Sequence, residues 1–480
     1  MGIEMAFLSD NQIVAGALDA YYQESVSACP PVINQEPIEQ IVAKLELGKY
    51  LRDGGLADQA LAEFLARYLT VTTRLHHPAY MAHQVAVPHY AGALGSLIDG
   101  FTNNAMAIYE MGPGAASIEF FVLNWMLEKV GWQPVPLDRQ KRSADAPCGG
   151  GVLTHGGSLA NLTALIAARN RVAPEAWDTG VPSDLALMAP AESHYSIARA
   201  AGILGIGQKA ICRLEVDDGG AIIPDKLSAA YERLRQEGKR PFALVANACT
   251  TAVGIYDPLR EIGEFCRQHQ LWLHVDGAHG ASALLSAKHK HLLNGVELAD
   301  SLTWDAHKML QTPVLCAALL VRDHRTLDRA FQQDASYLFH DKERPGIDFA
   351  QRTVECTKAG LGLKLFMVLG ALGERGLAEH VERQTDLALQ AYEYIQQQPG
   401  FACALRPQSN ILCFRIEGGD QLQLQIRDAL NAQGLFYLSS TLFRGRRYLR
   451  MALMNPQTRL EDVQRLLPRI RIEAEKLTRQ

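Results

Sequence analysis

Between about residues 78 and 321 short apolar runs alternate with helical stretches, and this alternation restricts the possible folds more than any other feature of the chain. The runs fall at 151–154, 185–189, 210–214, 242–246, 271–275, 301–303 and 317–321. They are nearly continuous in apolar residues, as strands buried on both faces are. Helical periodicity fills several gaps, at 159–169 and 196–204 for example. Short strands separated by helices predict an α/β fold with a mostly parallel central sheet. We take 76–370 as that α/β domain. Residues 1–75 read as a helical N-terminal arm, with helices at 36–47 and 56–69, the second after the turn-like Asp53-Gly54-Gly55. Residues 371–480 read as a small α+β C-terminal domain, with strands at 410–416, 435–438 and 448–453 and helices at 422–432 and 460–477.

Ligands of such sheets bind beyond the carboxyl ends of the strands. Two of those ends carry unusual polar residues. The run at 271–275 leads into Asp276, and the run at 301–303 leads into Asp305-Ala306-His307-Lys308. A lysine amine can hold pyridoxal phosphate as a Schiff base while a carboxylate pairs with its ring nitrogen. Upstream, Gly149-Gly150-Gly151-Val152-Leu153-Thr154-His155-Gly156-Gly157-Ser158-Leu159-Ala160-Asn161 reads as a strand, a glycine turn and a helix start. Exposed N–H groups at a helix N-terminus bind phosphate, and Ser158 adds a hydroxyl. Each part also has a plainer reading. Asp276 could simply end its strand in a turn, and Ser158 could be an ordinary N-cap. His194, in Glu192-Ser193-His194-Tyr195-Ser196, could lie flat on a cofactor ring or on the surface. Thr250-Thr251 could face a cofactor oxygen or Asp276, or reflect strand propensity alone.

In their order, these parts resemble the group II PLP-dependent amino-acid decarboxylases, from about Pro78 to Pro456. The most specific motifs are His274-Val275-Asp276-Gly277-Ala278, Gly295-Val296-Glu297-Leu298-Ala299-Asp300-Ser301 and Asp305-Ala306-His307-Lys308. The resemblance implies a PLP-dependent aminotransferase-like fold (fold type I), pyridoxal 5'-phosphate as cofactor, and a homodimer with its site at the subunit interface. It implies Lys308 as the Schiff-base lysine, Asp276 as partner of the ring nitrogen and Ala278 packed against the ring. It implies His194 stacked on the other face, and Gly157, Ser158 and His307 around the phosphate. Thr250 matches a threonine beside the aspartate. Arg450 matches an arginine that meets a substrate carboxylate, a task suited to a bidentate guanidinium. His83 matches a substrate-side position.

The chain also departs from that pattern. The usual proline before His-Lys is Ala306, and His279 stands where many members carry an aromatic residue. Many members offer a loop tyrosine as proton donor. Here Pro345-Gly346-Ile347-Asp348-Phe349-Ala350-Gln351-Arg352 holds no tyrosine, Phe349 is its only aromatic, and Tyr337 and His340 lie upstream as substitutes. In some relatives a phenylalanine in place of the tyrosine accompanies aldehyde-forming oxidative deamination, which stands as the alternative reaction. Asn103-Asn104-Ala105-Met106-Ala107-Ile108-Tyr109-Glu110-Met111-Gly112-Pro113 resembles the glutamate and cysteine-sulfinate branch, or else packs a dimer interface. The expected substrate is a small acidic amino acid, aspartate or glutamate, over 2,4-diaminobutyrate.

Composition removes other classes. A formal charge of −5 argues against a nucleic-acid binder. No apolar run is long enough to span a bilayer. Met1-Gly2-Ile3-Glu4-Met5 lacks the basic start of a secretory signal. The nine cysteines show no CxxC and no metal-like spacing, so the expectation is reduced thiols, no metal and a cytoplasmic protein.

Overall fold

The computed structural model describes residues 6–136, 148–331 and 346–479. They form two compact units. One holds Gln84–Arg383 with Pro407–Ser409, and the other holds Met1–His83, Gln384–Arg406 and Asn410–Gln480. This division differs from the three segments drawn from the sequence pattern, since the N-terminal segment groups with the C-terminal one.

The larger unit is built on seven strands: β1 (Gly150–Thr154), β2 (Leu185–Pro190), β3 (Ile211–Leu214), β4 (Arg240–Asn247), β5 (Trp272–Asp276), β6 (Ser301–Asp305) and β7 (Ala317–Val321). Their order is β1-β7-β6-β5-β4-β2-β3. β3, β2, β4, β5 and β6 pair in parallel, and β7 runs antiparallel to β1 and β6. Every residue of β1, β2, β5, β6 and β7 is buried, which explains their lack of polar alternation. The helix Gly157–Val172 packs on β7, β6 and β4. It is buried through small residues (Ala160, Ala164, Ala167, Ala168) that let it lie close to the sheet. This is the α/β architecture that the strand pattern predicts.

The smaller unit carries an antiparallel sheet, β10-β11-β9-β8, from β8 (Phe401–Cys403), β9 (Ile411–Ile416), β10 (Ser439–Phe443) and β11 (Arg446–Ala452). Helices Asp420–Gln433 and Leu460–Thr478 share its apolar core. Residues 435–438, expected as a strand, lie before β10 instead. The backbone of Tyr437 is taken by residues 79–81: its N–H donates to the Ala79 carbonyl and its carbonyl accepts from Met81. Leu438 is held at both N–H and C=O by the Asn431 side chain. The helix expected at 36–47 is two, Ile38–Lys44 and Leu47–Asp53, with Glu46 in the left-handed region between them (φ 52°).

Candidate active site

β5 and β6 are parallel neighbours, so their carboxyl ends open on the same edge of the sheet. β5 ends in Asp276 and β6 in Asp305, and the turn after β6 carries His307 and Lys308. A cavity of about 240 Å³ lies there, lined by Lys308, Asp276, Ala278, His194, His307 and the Gly157-Ser158 turn. Seven of the eight residues expected around a cofactor therefore converge on one space.

Each is fixed by its surroundings. The Asp276 carboxylate accepts from Asn161 Nδ2 at 2.9 Å and from the Ala278 N–H at 3.2 Å. Lys308 Nζ lies 3.1 Å from Asp305 Oδ2, and His307 Nε2 lies 3.6 Å from the same oxygen. His307 is braced from behind, with Nδ1 2.8 Å from the Cys316 carbonyl. The helix Gly157–Val172 starts at the cavity after Gly156, whose φ of 105° suits glycine. Its first N–H groups have no partner within the helix. His194 caps the helix Tyr195–Ile203, its Nδ1 accepting from the Ser196 N–H at 3.3 Å. Burial lowers the His194 pKa below the usual imidazole range, against the opposing pull of Asp276, so the ring is neutral at pH 7.

The eighth residue, Thr250, is not among the lining residues, although Cys249 and Thr251 are. Its hydroxyl accepts from the Ile255 N–H at 3.0 Å and closes a turn. His83 and Arg450 belong to the smaller unit. There His83 Nε2 lies 3.0 Å from the Tyr437 hydroxyl, and buried Arg450 donates to the Ala82 carbonyl. Phe349 is 1% exposed, packs in the core and does not line the cavity. Tyr337, His340 and Pro345 lie outside the described residues.

Sequence reasoning gave no role to Asn161 or Asp305, and both line the cavity. Asn161 had a readable signal. It stands four positions after Gly157, so it shares a helix face with the first residue of the turn. Asp305 is 1% exposed, and its Oδ1 has no hydrogen-bond partner. A Cβ added at Gly157 would stand 2.8 Å from that oxygen, so only glycine leaves this wall of the cavity open.

The residues fit pyridoxal phosphate. An amine, a braced carboxylate and a helix N-terminus surround one cavity, matching the aldehyde, the ring nitrogen and the phosphate of that molecule. Compared with known proteins, the chain matches the family described as "Pyridoxal-dependent decarboxylase conserved domain" over residues 58–417. It is 31% identical to the human acidic amino acid decarboxylase GADL1 over 460 residues, 92% of this chain and 85% of that one. It is 30% identical to human cysteine sulfinic acid decarboxylase over 402 residues, 83% of this chain and 78% of that one. The crystal structure of mouse CSAD superposes with a TM-score of 0.90 at 27% identity, covering 98% of this chain and 99% of that one. The chain belongs to the group II pyridoxal-phosphate-dependent amino-acid decarboxylases.

Proposed function

We propose that this decarboxylase acts on a small acidic L-amino acid, aspartate or glutamate, and releases carbon dioxide and the corresponding amine. The observation that carries the reading is the likeness to relatives named for acidic substrates along most of both chains. Arg450 supports it. It matches the family's arginine that meets a substrate carboxylate, a task suited to a bidentate guanidinium.

Lys308 presents the amine that holds the cofactor. Asp276, braced by Asn161 and the Ala278 N–H, would pair with the ring nitrogen. Gly157 and Ser158 offer N–H groups, and Ser158 and His307 side chains, to the phosphate. When bound, pyridoxal phosphate supplies an electron sink for the carbon–carboxylate bond that breaks. Ala278 and His194, both lining the cavity, are the residues that would hold the ring. His194, neutral, can give a hydrogen bond at one nitrogen and accept at the other.

The enzyme is further proposed to work as a homodimer, because an apolar stripe on the helix Tyr90–Thr102 is exposed beside the loop that reaches the cavity. None of the nine cysteines is in a disulfide, which suits a reducing, cytoplasmic setting.

The test is carbon dioxide release from a panel of L-amino acids, with cysteine sulfinate and 2,4-diaminobutyrate included and peroxide read in the same wells. Release fastest from aspartate or glutamate, without peroxide and absent in Lys308→Ala, is the expected result. Fastest release from cysteine sulfinate, a basic or an aromatic substrate would overturn the substrate assignment. Peroxide in step with carbon dioxide would replace simple decarboxylation by oxidative deamination.

A further inference from the structure

Asn161 is 1% exposed and sits at the centre of a chain of buried hydrogen bonds. Its Nδ2 donates to Asp276 Oδ2 at 2.9 Å and to Ser196 Oγ at 3.0 Å. Its Oδ1 accepts from Thr303 Oγ1 at 2.7 Å and faces His274 Nε2 at 3.0 Å. Beyond His274, Nδ1 lies 2.8 Å from Ser301 Oγ, which also accepts from Trp272 Nε1 at 2.8 Å. Beyond Ser196, Oγ lies 2.8 Å from His194 Nδ1.

The chemistry of the partners leaves one way to place the hydrogens. A carboxylate only accepts, so the amide nitrogen of Asn161 must face Asp276. Its oxygen then faces His274, whose Nε2 must donate. Burial pushes the His274 pKa down to about 4, so the ring carries a single proton and its Nδ1 accepts from the Ser301 hydroxyl. Ser301 in turn accepts from the indole of Trp272, which only donates. On the other side, the second amide hydrogen of Asn161 goes to Ser196 Oγ, and the Ser196 hydroxyl is turned to donate to His194 Nδ1. The Ser196 backbone N–H points at the same nitrogen.

We infer that Asn161 is a positioning residue that couples Asp276 to His194, fixing His194 as the tautomer that carries its proton on Nε2. With Nδ1 taken by Ser196, that Nε2–H is the polar group His194 offers to a molecule in the cavity. The amide that braces Asp276 and the hydroxyl that orients His194 are thus parts of one unit. The inference rests on the assignment of Asp276 and His194 to the cofactor site.

Histidine protonation in the cofactor-free protein tests it directly. Protein labelled with 15N-histidine is followed by NMR against pH, with the His194 signals assigned by their absence in His194→Gln. Asp276 and Asp305 favour a charged His194, while Lys308 and Arg199 oppose it, and all four are kept. Wild type is expected to show Nε2 protonated and Nδ1 bare at neutral pH. A second proton on Nδ1 would face both the hydroxyl and the N–H of Ser196. Ser196→Ala removes the hydroxyl and Asn161→Ala frees it to turn, so each raises the His194 titration midpoint. Ser196→Thr keeps the hydroxyl and restores it. In the loaded enzyme Asn161→Ala lowers kcat about tenfold, as for one lost hydrogen bond to a charged group. If Asn161→Ala fails to fold, Ser196→Ala, which deletes one oxygen, carries the reading. A wild-type proton on Nδ1, or a midpoint unmoved in the alanine variants that fold, overturns the coupling. The NMR needs neither cofactor nor substrate, so its result is independent of any failure to decarboxylate.

Discussion

At the scale of single residues, the candidate groups of the cavity were legible because the fold brings them to strand ends. Lys308, Asp276, His194 and Gly157 were found that way and share one cavity. Asn161 was not assigned because its partner is far away in sequence, 115 residues off at Asp276, and Asp305 because it was read only as part of the stretch leading to Lys308, which it faces at 3.1 Å. Residue-level burial also sets the response to acid. His380 is 2% exposed, with both ring nitrogens unpartnered, and burial pushes its pKa down to about 3 from 6.5. The unfolded chain takes a proton there below about pH 6.5, and the folded chain refuses it until about pH 3. His380 therefore costs stability as pH falls through that window, by about 1.4 kcal/mol per pH unit. Asp257 works with the opposite sign. Burial raises it from 3.8 to about 7, so its contribution is lost as pH rises through that range. His380→Leu is expected to flatten the decline of stability between pH 6.5 and 4 relative to wild type. Urea unfolding at several pH values measures the difference, and parallel slopes in the two proteins would contradict the assignment.

At the scale of elements, the seven strands of the larger sheet were legible to within two residues at each end, because continuous apolar runs leave them no other place than a covered sheet. The smaller sheet was read less well. β8 and β10 were missed, and the stretch before β10 was taken for a strand, because Phe436 and Leu438 are both buried there and mimic strand alternation. A pair that sequence spacing could not reveal holds β1, the strand leading to the glycine turn. Lys358 Nζ lies 3.2 Å from Glu119 Oε2, and both side chains are wholly buried. Lys358 also donates to the Leu153 carbonyl at 2.6 Å, while the Leu153 N–H donates to Glu119 at 2.9 Å. Both backbone groups of Leu153 are thus satisfied from outside the sheet. Removing one charge leaves the other buried alone, a loss of about 3–5 kcal/mol. Lys358→Met should therefore unfold at clearly lower urea, and adding Glu119→Gln should recover a large part of the loss. A double variant no more stable than Lys358→Met would show that packing, rather than the lone carboxylate, sets the effect.

At the scale of the whole molecule, the feature left unexplained by a single chain is the outer face of the helix Tyr90–Thr102. Tyr90, Leu94, Leu97, Ile98 and Phe101 recur at helical spacing, and Tyr90 and Phe101 are 70% and 67% exposed. The inner face is built for close contact, with Gly95 against the Lys364 backbone and Gly92 against Pro313. Pro313 leads directly into Val314 and Leu315, which are also exposed, and Leu315 lines the cavity. An exposed apolar stripe of this kind is what a binding surface looks like, and Pro313, against which Gly92 packs, leads to Leu315 at the cavity. A second copy related by a two-fold axis would cover the stripe with the same stripe. It would also shield the cavity from water, which strengthens the interactions of the charged groups inside. Leu97→Arg with Phe101→Glu puts charge into the middle of that contact without touching a cavity residue. Sedimentation equilibrium is expected to show a dimer for wild type and a monomer for the double variant, with carbon dioxide release reduced at least tenfold. A wild-type monomer with full activity would remove the homodimer. A variant that is monomeric yet fully active would keep the dimer and show that the site is complete within one chain.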